Sequence, residues 1–367
     1  FVDARAPAMT FGLLFMKPTA LALVAALEAG VAEAAKTAAM QPSGRPARRR
    51  RWRARLMLSS VDANEAALRL CLVRWEARRQ AEAARRRPDA DDGSWRCDED
   101  DAPSRAPPVL LVHGFGASSY HWRSNVNAIA EAGYRVYAVD LCGFGRSEKP
   151  VMDYDSDLWV EQCAALLRDV AGCASGTRAV VAGNSIGGFT ALALGALHPE
   201  LVRGVAALNG AGRFAPPPDV AAAEEAARLA AEDAGPAARA LAALGAAVRR
   251  AVVAAAFVVT KQPLRIQQVL RQVYPVFPER CDDDLVASIE YPARDPNAAE
   301  VFYRIVSRNG NGPADPARSV DALLARLAAP LLLCWGERDP WVVSAIGERY
   351  EAAATALGRD VTRVSID

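Results

Sequence analysis

Gly183-Asn184-Ser185-Ile186-Gly187 follows the apolar run Ala179–Ala182 and precedes the helical pattern Gly188–His198. A serine between two glycines at a strand-to-helix turn is an arrangement for nucleophilic attack. The glycines let the chain turn where side chains would collide, and the hydroxyl is lifted above the sheet edge. The serine also sits at a helix N-terminus, where backbone N–H groups favour developing negative charge. Ser185 is therefore the candidate nucleophile. Acyl transfer needs two N–H donors aimed at one oxyanion. Ile186, directly after the serine, supplies one, and Phe115 in the loop Val112-His113-Gly114-Phe115-Gly116 supplies the other. A carboxylate to orient a base is offered by Trp335-Gly336-Glu337-Arg338-Asp339-Pro340-Trp341, after the apolar run Leu331–Trp335. Asp339 is preferred to Glu337 because it lies later in the loop and Pro340 fixes the turn behind it.

The base is the difficulty, because the chain has three histidines, His113, His121 and His198. His113, just before Gly114, reads as a structural imidazole shaping its loop. His198, beside Pro199 at the far end of the elbow helix, points away from Ser185. His121 is nearer, but its geometry as a base would be novel. In the order nucleophile, acid, histidine, the base follows the last strand, Val361–Ile366. The expectation is therefore a C-terminal truncation, with the histidine encoded after Asp367. Asp140, in Asp140-Leu141-Cys142-Gly143-Phe144-Gly145-Arg146-Ser147, reads as part of a turn whose shape matters.

These loops need a scaffold that brings several strand ends to one edge. From Pro108 onward, short apolar runs alternate with helical patterns: Val109–Val112, Arg135–Val139, Ala179–Ala182, Gly204–Leu208, Leu331–Trp335 and Val361–Ile366. Their near-continuous hydrophobicity fits strands buried on both faces, so the fold class is α/β, a mostly parallel sheet with helices on both faces. Between Gly212 and Asp321 no strand is evident, and the helical pattern there predicts a cap over the C-terminal sheet edge. The expected division is a basic extension over 1–105, a core over 106–212 and 321–367, and a helical cap over 213–320.

The chain of 367 residues is 51% hydrophobic and 24% charged with a net charge of +1, a globular composition. Residues 1–87 carry 17 Lys+Arg against 7 Asp+Glu. Their arginine runs read as a solvated tail rather than a nucleic-acid site, and Val61–Arg87 reads as a helix. Seven scattered cysteines without a C-x-x-C pair fit reduced thiols, and no His/Cys spacing suggests a metal. No cofactor is expected. The longest clean apolar runs, Ala20–Leu27 and Ala251–Val259, fall short of the roughly 18 residues of a membrane span. A spanning helix is therefore not expected, and peripheral membrane contact stays open.

Taken together, these motifs and their order resemble the α/β-hydrolase superfamily. More narrowly, Val112–Ser118 with His121-Trp122-Arg123, Gly183–Phe189, Gln272-Val273-Tyr274 with the Asp282–Glu290 helix, and Trp335-Gly336-Glu337 with Asp339-Pro340-Trp341 are similar to plastid and cyanobacterial serine hydrolases of the pheophytinase and chlorophyll dephytylase group. The resemblance implies the α/β-hydrolase fold and a Ser185–Asp339–His triad with Phe115 and Ile186 as oxyanion donors. It also implies a lipophilic ester substrate such as a phytyl chlorin ester, and a chloroplast location. The chain departs from that group in lacking the C-terminal histidine and the short strand hairpin that opens the domain. The competing reading is a non-catalytic ligand-binding protein on the same fold.

Overall fold

The computed structural model describes residues 107–173, 176–311 and 315–366. The expected helix Val61–Arg87 and the rest of the N-terminal extension lie outside the described residues. Six strands alternate with helices: β1 Val109–Val112, α1 Val126–Glu131, β2 Val136–Val139, α2 Ser156–Asp169, β3 Ala179–Asn184, α3 Ile186–Leu197 and β4 Val202–Leu208. Five helices follow, namely α4 Pro218–Glu232, α5 Pro236–Thr260, α6 Pro263–Val273, α7 Asp283–Glu290 and α8 Ala298–Asn311. The chain then returns through α9 Val320–Arg326, β5 Leu331–Gly336, α10 Ser344–Ala356 and β6 Val361–Ile366.

Every strand pair is parallel and the order is β2-β1-β3-β4-β5-β6. The chain steps from β1 outward to β2, then returns to place β3 on the other side of β1. The order therefore reverses between β1 and β3, where open α/β sheets bind ligands. Register brings the strand ends level: Val112 lies opposite Val139 and Gly183, Asn184 opposite Leu208, Leu208 opposite Cys334, and Gly336 opposite Ile366. The loops carrying His113, Asp140, Ser185, Asn209 and Asp339 thus leave one edge of the sheet.

Two helices show how the sequence secures this frame. In α2 the Asp155 side chain caps the first turn by accepting from the Leu158 N–H at 2.9 Å, and Trp159, Val160, Cys163, Leu166 and Leu167 face the core. α3 is apolar all round and almost wholly buried, as expected for a helix with no solvent face. Its Gly195 allows close packing, since a Cβ there would meet Val205 at 2.7 Å and Leu327 at 3.0 Å.

The inserted helices are held at their base. Val320 N–H donates to Arg213 O at 2.8 Å and Ala215 N–H donates to the Asp321 carboxylate at 2.7 Å, so the chain leaves and re-enters the sheet side by side. Arg318 adds a two-pronged contact to Asp157, at 2.7 and 2.9 Å. Within the insert, Asp282 caps α7 through the Leu285 N–H at 2.7 Å, and Val301 and Ile305 of α8 join the main core.

One expectation needs correcting. α5 has 25 residues and a stretch of mean hydropathy 1.8, so it is long and apolar enough to cross a membrane by length and composition. Counting uninterrupted runs hides this, because Arg249-Arg250 divide the helix into two shorter apolar pieces.

Candidate active site

Ser185 has φ 57° and ψ −120°, a left-handed conformation that costs an L-residue on the order of 1–3 kcal/mol. Packing and hydrogen bonds hold it there. Its N–H donates to Leu208 O at 3.1 Å, and its carbonyl accepts from Phe189 N at 3.1 Å and Ala211 N at 2.9 Å. The flanking glycines are required by contact rather than by φ. A Cβ on Gly183 would strike the Gly187 carbonyl, and one on Gly187 would strike the Val112 carbonyl. The first turn of α3 therefore lies directly against the end of β1, and Ser185 Oγ is buried with no hydrogen-bond partner among the described residues.

The loop after β1 closes on the same point. A Cβ on Gly114 would lie 2.9 Å from Asn184 Oδ1 and 3.2 Å from Ser185 Cβ, so this backbone passes against the Ser185 turn. Phe115 comes next, its ring packed against Phe144 and Phe302 with centroids 5.6 Å away in each case. Ile186 is the first residue of α3, and an N–H in a helix's first turn has no acceptor within the helix.

His113 is fully buried beneath this loop. Its Nε2 lies 3.0 Å from the Leu141 N–H, which can only donate, so Nε2 accepts and the proton sits on Nδ1, donating to Gly114 O at 2.7 Å. Burial pushes its pKa below the usual histidine value. Both nitrogens are committed, and His113 shapes the loop as the sequence suggested. Asp140 is also structural: its carboxylate accepts from Ser119 N at 2.6 Å and Arg146 N at 2.8 Å, tying two loops together. His198 closes α3 among Glu161, Arg168 and Glu200 at 3.0–3.2 Å, away from the serine. His121 faces the site, and burial, then His113 and Arg123, bring its pKa down to about 4.

The two acids after β5 go different ways. Asp339 Oδ1 accepts from Trp341 N at 2.8 Å and Val342 N at 3.0 Å, closing a turn at the cavity wall. Glu337 pairs with Arg363 of β6 at 3.0 Å. Hydrogen bonds from Ser344 and Ser365, with the Arg363 charge, hold its carboxyl below the usual range. Asn209 was not anticipated. At φ 42° it accepts from Gly336 N at 2.9 Å and donates to Gly336 O and Val342 O, each at 3.3 Å. It thereby straps the end of β4 to the loop that carries Asp339. The only sequence signal is an Asn-Gly pair after an apolar strand, since Asn tolerates positive φ.

A cavity of about 460 Å³ lies between the sheet edge and the inserted helices, with Ser185, Asp339, Phe115 and His121 in its wall. Phe257, Ile266, Val269, Tyr274 and Phe302 line it from above, and Trp341 and Ile366 from the sheet side. Two other large apolar residues of the insert lie away from the cavity. Phe214 packs on the Tyr350 ring beneath the Arg349 guanidinium, and Leu264 is 77% exposed on the outer surface. No cluster of three His, Cys, Asp or Glu side chains among the described residues is placed to hold a metal.

A family profile described as alpha/beta hydrolase fold matches residues 107–363. The chain belongs to the α/β-hydrolase fold family. Among its relatives within that family, 105 residues are 35% identical to rat bifunctional epoxide hydrolase 2, covering 28% of this chain and 18% of that one. A stretch of 111 residues is 38% identical to 2-hydroxy-6-oxo-6-(2'-aminophenyl)hexa-2,4-dienoic acid hydrolase of Metapseudomonas resinovorans, covering 29% and 37%. A stretch of 144 residues is 31% identical to chloroplastic pheophytinase of Arabidopsis thaliana, covering 31% and 28%. The matched part of this α/β-hydrolase thus spans well under half the length of these curated relatives.

Proposed function

We propose that this protein is a serine hydrolase of lipophilic carboxylic esters. The observation that carries the reading is Ser185, whose unpartnered hydroxyl sits on a strained turn in the wall of a largely apolar cavity. Ser185 Oγ attacks the ester carbonyl, and the oxyanion is held by the Phe115 and Ile186 N–H groups. The ester C–O bond breaks so that the alcohol departs with the proton taken from the serine, and water then hydrolyses the acyl-serine to the acid and free Ser185. Asp339 orients the imidazole that takes the serine proton. A serine at position 185 gives an acyl-transfer nucleophile, unlike the carboxylate of haloalkane dehalogenases. The inserted helices act as a cap, and their apolar lining suits a bulky, greasy alcohol group. The likeness to pheophytinase makes a phytyl or polycyclic ester in a chloroplast the favoured case.

The test uses the full chain with a fluorophosphonate and a series of esters. Labelling is expected at Ser185, is lost in Ser185→Ala, and persists in His121→Ala. kcat/KM is expected to be higher for a phytyl or long-chain ester than for an acetyl ester. Preference for the short ester removes the pigment reading. Absence of labelling removes the serine-hydrolase reading and favours a binding protein, and loss of labelling in His121→Ala makes His121 the base.

A further inference from the structure

α5 has two unlike sides. Its inner side packs on α8, with Val253, Phe257 and Thr260 buried. Its outer side carries Ala240, Leu244, Ala247, Ala251, Ala255 and Val258, all exposed, with Leu244 62% and Val258 55% accessible. Steps of three and four residues put these six on one stripe, about 27 Å long at 1.5 Å per residue, with no polar side chain among them. Folding does not account for such a face.

Charge identifies what covers it. Residues 234–278 contain Arg239, Arg249, Arg250, Lys261, Arg265 and Arg271 and no Asp or Glu. An apolar stripe in a purely cationic stretch matches the boundary between acyl chains and anionic headgroups. The cavity opens beside the C-terminal end of the helix: Phe257 and Thr260 of its inner side and the following Lys261 line it, as does Phe277, which is 59% exposed. Arg250 ties the helix to the rest of the protein, held to Glu300 at 2.5 Å and lying over the Tyr303 ring on α8, which suits a helix lying flat rather than crossing.

We infer that α5 lays this protein flat on an anionic lipid surface, outer stripe down, so that a lipid-dissolved substrate enters the cavity past Phe277. The delivery step rests on the proposed hydrolase reading; the adsorption does not. The test is co-sedimentation of the full chain with phosphatidylcholine vesicles containing about a third phosphatidylserine, with neutral vesicles alongside. Binding is expected to the anionic vesicles, to weaken as salt rises, and to fall at least about tenfold in Leu244→Glu/Val258→Glu. Neither position lines the cavity, so the double variant keeps its activity on a short soluble ester. The native protein's preference for anionic over neutral vesicles is a second readout that does not depend on how the variant folds.

Equal recovery with both vesicle types, or equal binding of the double variant, overturns the inference. So does a dimer dissolved by the substitutions without vesicle binding, or resistance to extraction at alkaline pH, which would mean a spanning helix. Adsorption without ester cleavage would sink the proposed function and leave this inference standing, and cleavage without adsorption the reverse.

Discussion

Replacing Asn209 by aspartate tests whether its side chain holds the Asp339 loop. The variant keeps the acceptor for Gly336 N but loses the donations to Gly336 O and Val342 O. Neither carbonyl is orphaned, because Gly336 O also accepts from Asp339 N at 3.2 Å and Val342 O from the Trp335 indole at 2.9 Å. The loss is therefore two ordinary net hydrogen bonds, about 1–3 kcal/mol together. An ionised carboxylate would also face those two carbonyl oxygens at close to the 3.3 Å that separates them from the present nitrogen. The fold therefore favours the protonated form, whose O–H restores one donation, and raises the pKa above its unfolded value of about 3.9. A raised folded pKa contributes stability that is complete below the unfolded pKa and is lost as pH rises through the folded one. Asn209→Asp is thus expected to be least harmful near pH 4 and about 1–2 kcal/mol more harmful at pH 8, since moving a pKa tenfold in proton affinity corresponds to about 1.4 kcal/mol. The assay is urea unfolding of wild type, Asn209→Asp and Asn209→Ala at both pH values. Asn209→Ala has no titrating group, so its deficit should not change with pH. An Asn209→Asp deficit that is flat, or smaller at high pH, would refute the strap.

Two further outcomes follow from buried groups. Ser185→Ala removes an unpartnered buried hydroxyl and is expected to stabilise the protein by about 1 kcal/mol, or some 2–4 °C in Tm, while abolishing fluorophosphonate labelling; a lower Tm would show that Oγ has a partner. His113 and His121 both have lowered folded pKa values, His121 to about 4. The unfolded chain therefore binds their protons first, and the stability they confer is complete above about pH 6.5 and falls as pH drops toward 4. Urea midpoints between pH 7 and pH 4 should decline for wild type and less steeply for His121→Asn; equal slopes would show that His121 is not desolvated.

What was legible in the sequence is what depends on neighbours along the chain. Gly183, Ser185 and Gly187 are dictated by a turn spanning five residues, and β1 to β6 by short runs buried on both faces. His113 was readable as structural because it stands directly before Gly114 in the loop after β1. Asn209 was not readable, because its partners Gly336 and Val342 lie more than a hundred residues away and only the sheet register brings them near. The pairing of Glu337 with Arg363 likewise exists only once β5 and β6 lie side by side. α5 escapes a reading by run length because periodicity around a helix decides which side its arginines occupy.

The paired contacts Arg213–Val320 and Ala215–Asp321 have a consequence for how this protein tolerates change. The ends of a segment of roughly a hundred residues are fastened together at the sheet, so lengthening that segment adds little closure entropy, about 0.6 kcal/mol for each doubling. The outer parts of the helices above the clasp are the most tolerant of lengthening, while the turn at Ser185 is built from β1, β3 and β4 below it. What still ties the segment to the sheet edge beyond this clasp is packing, through Val301 and Ile305 in the main core and Phe302 against Phe115.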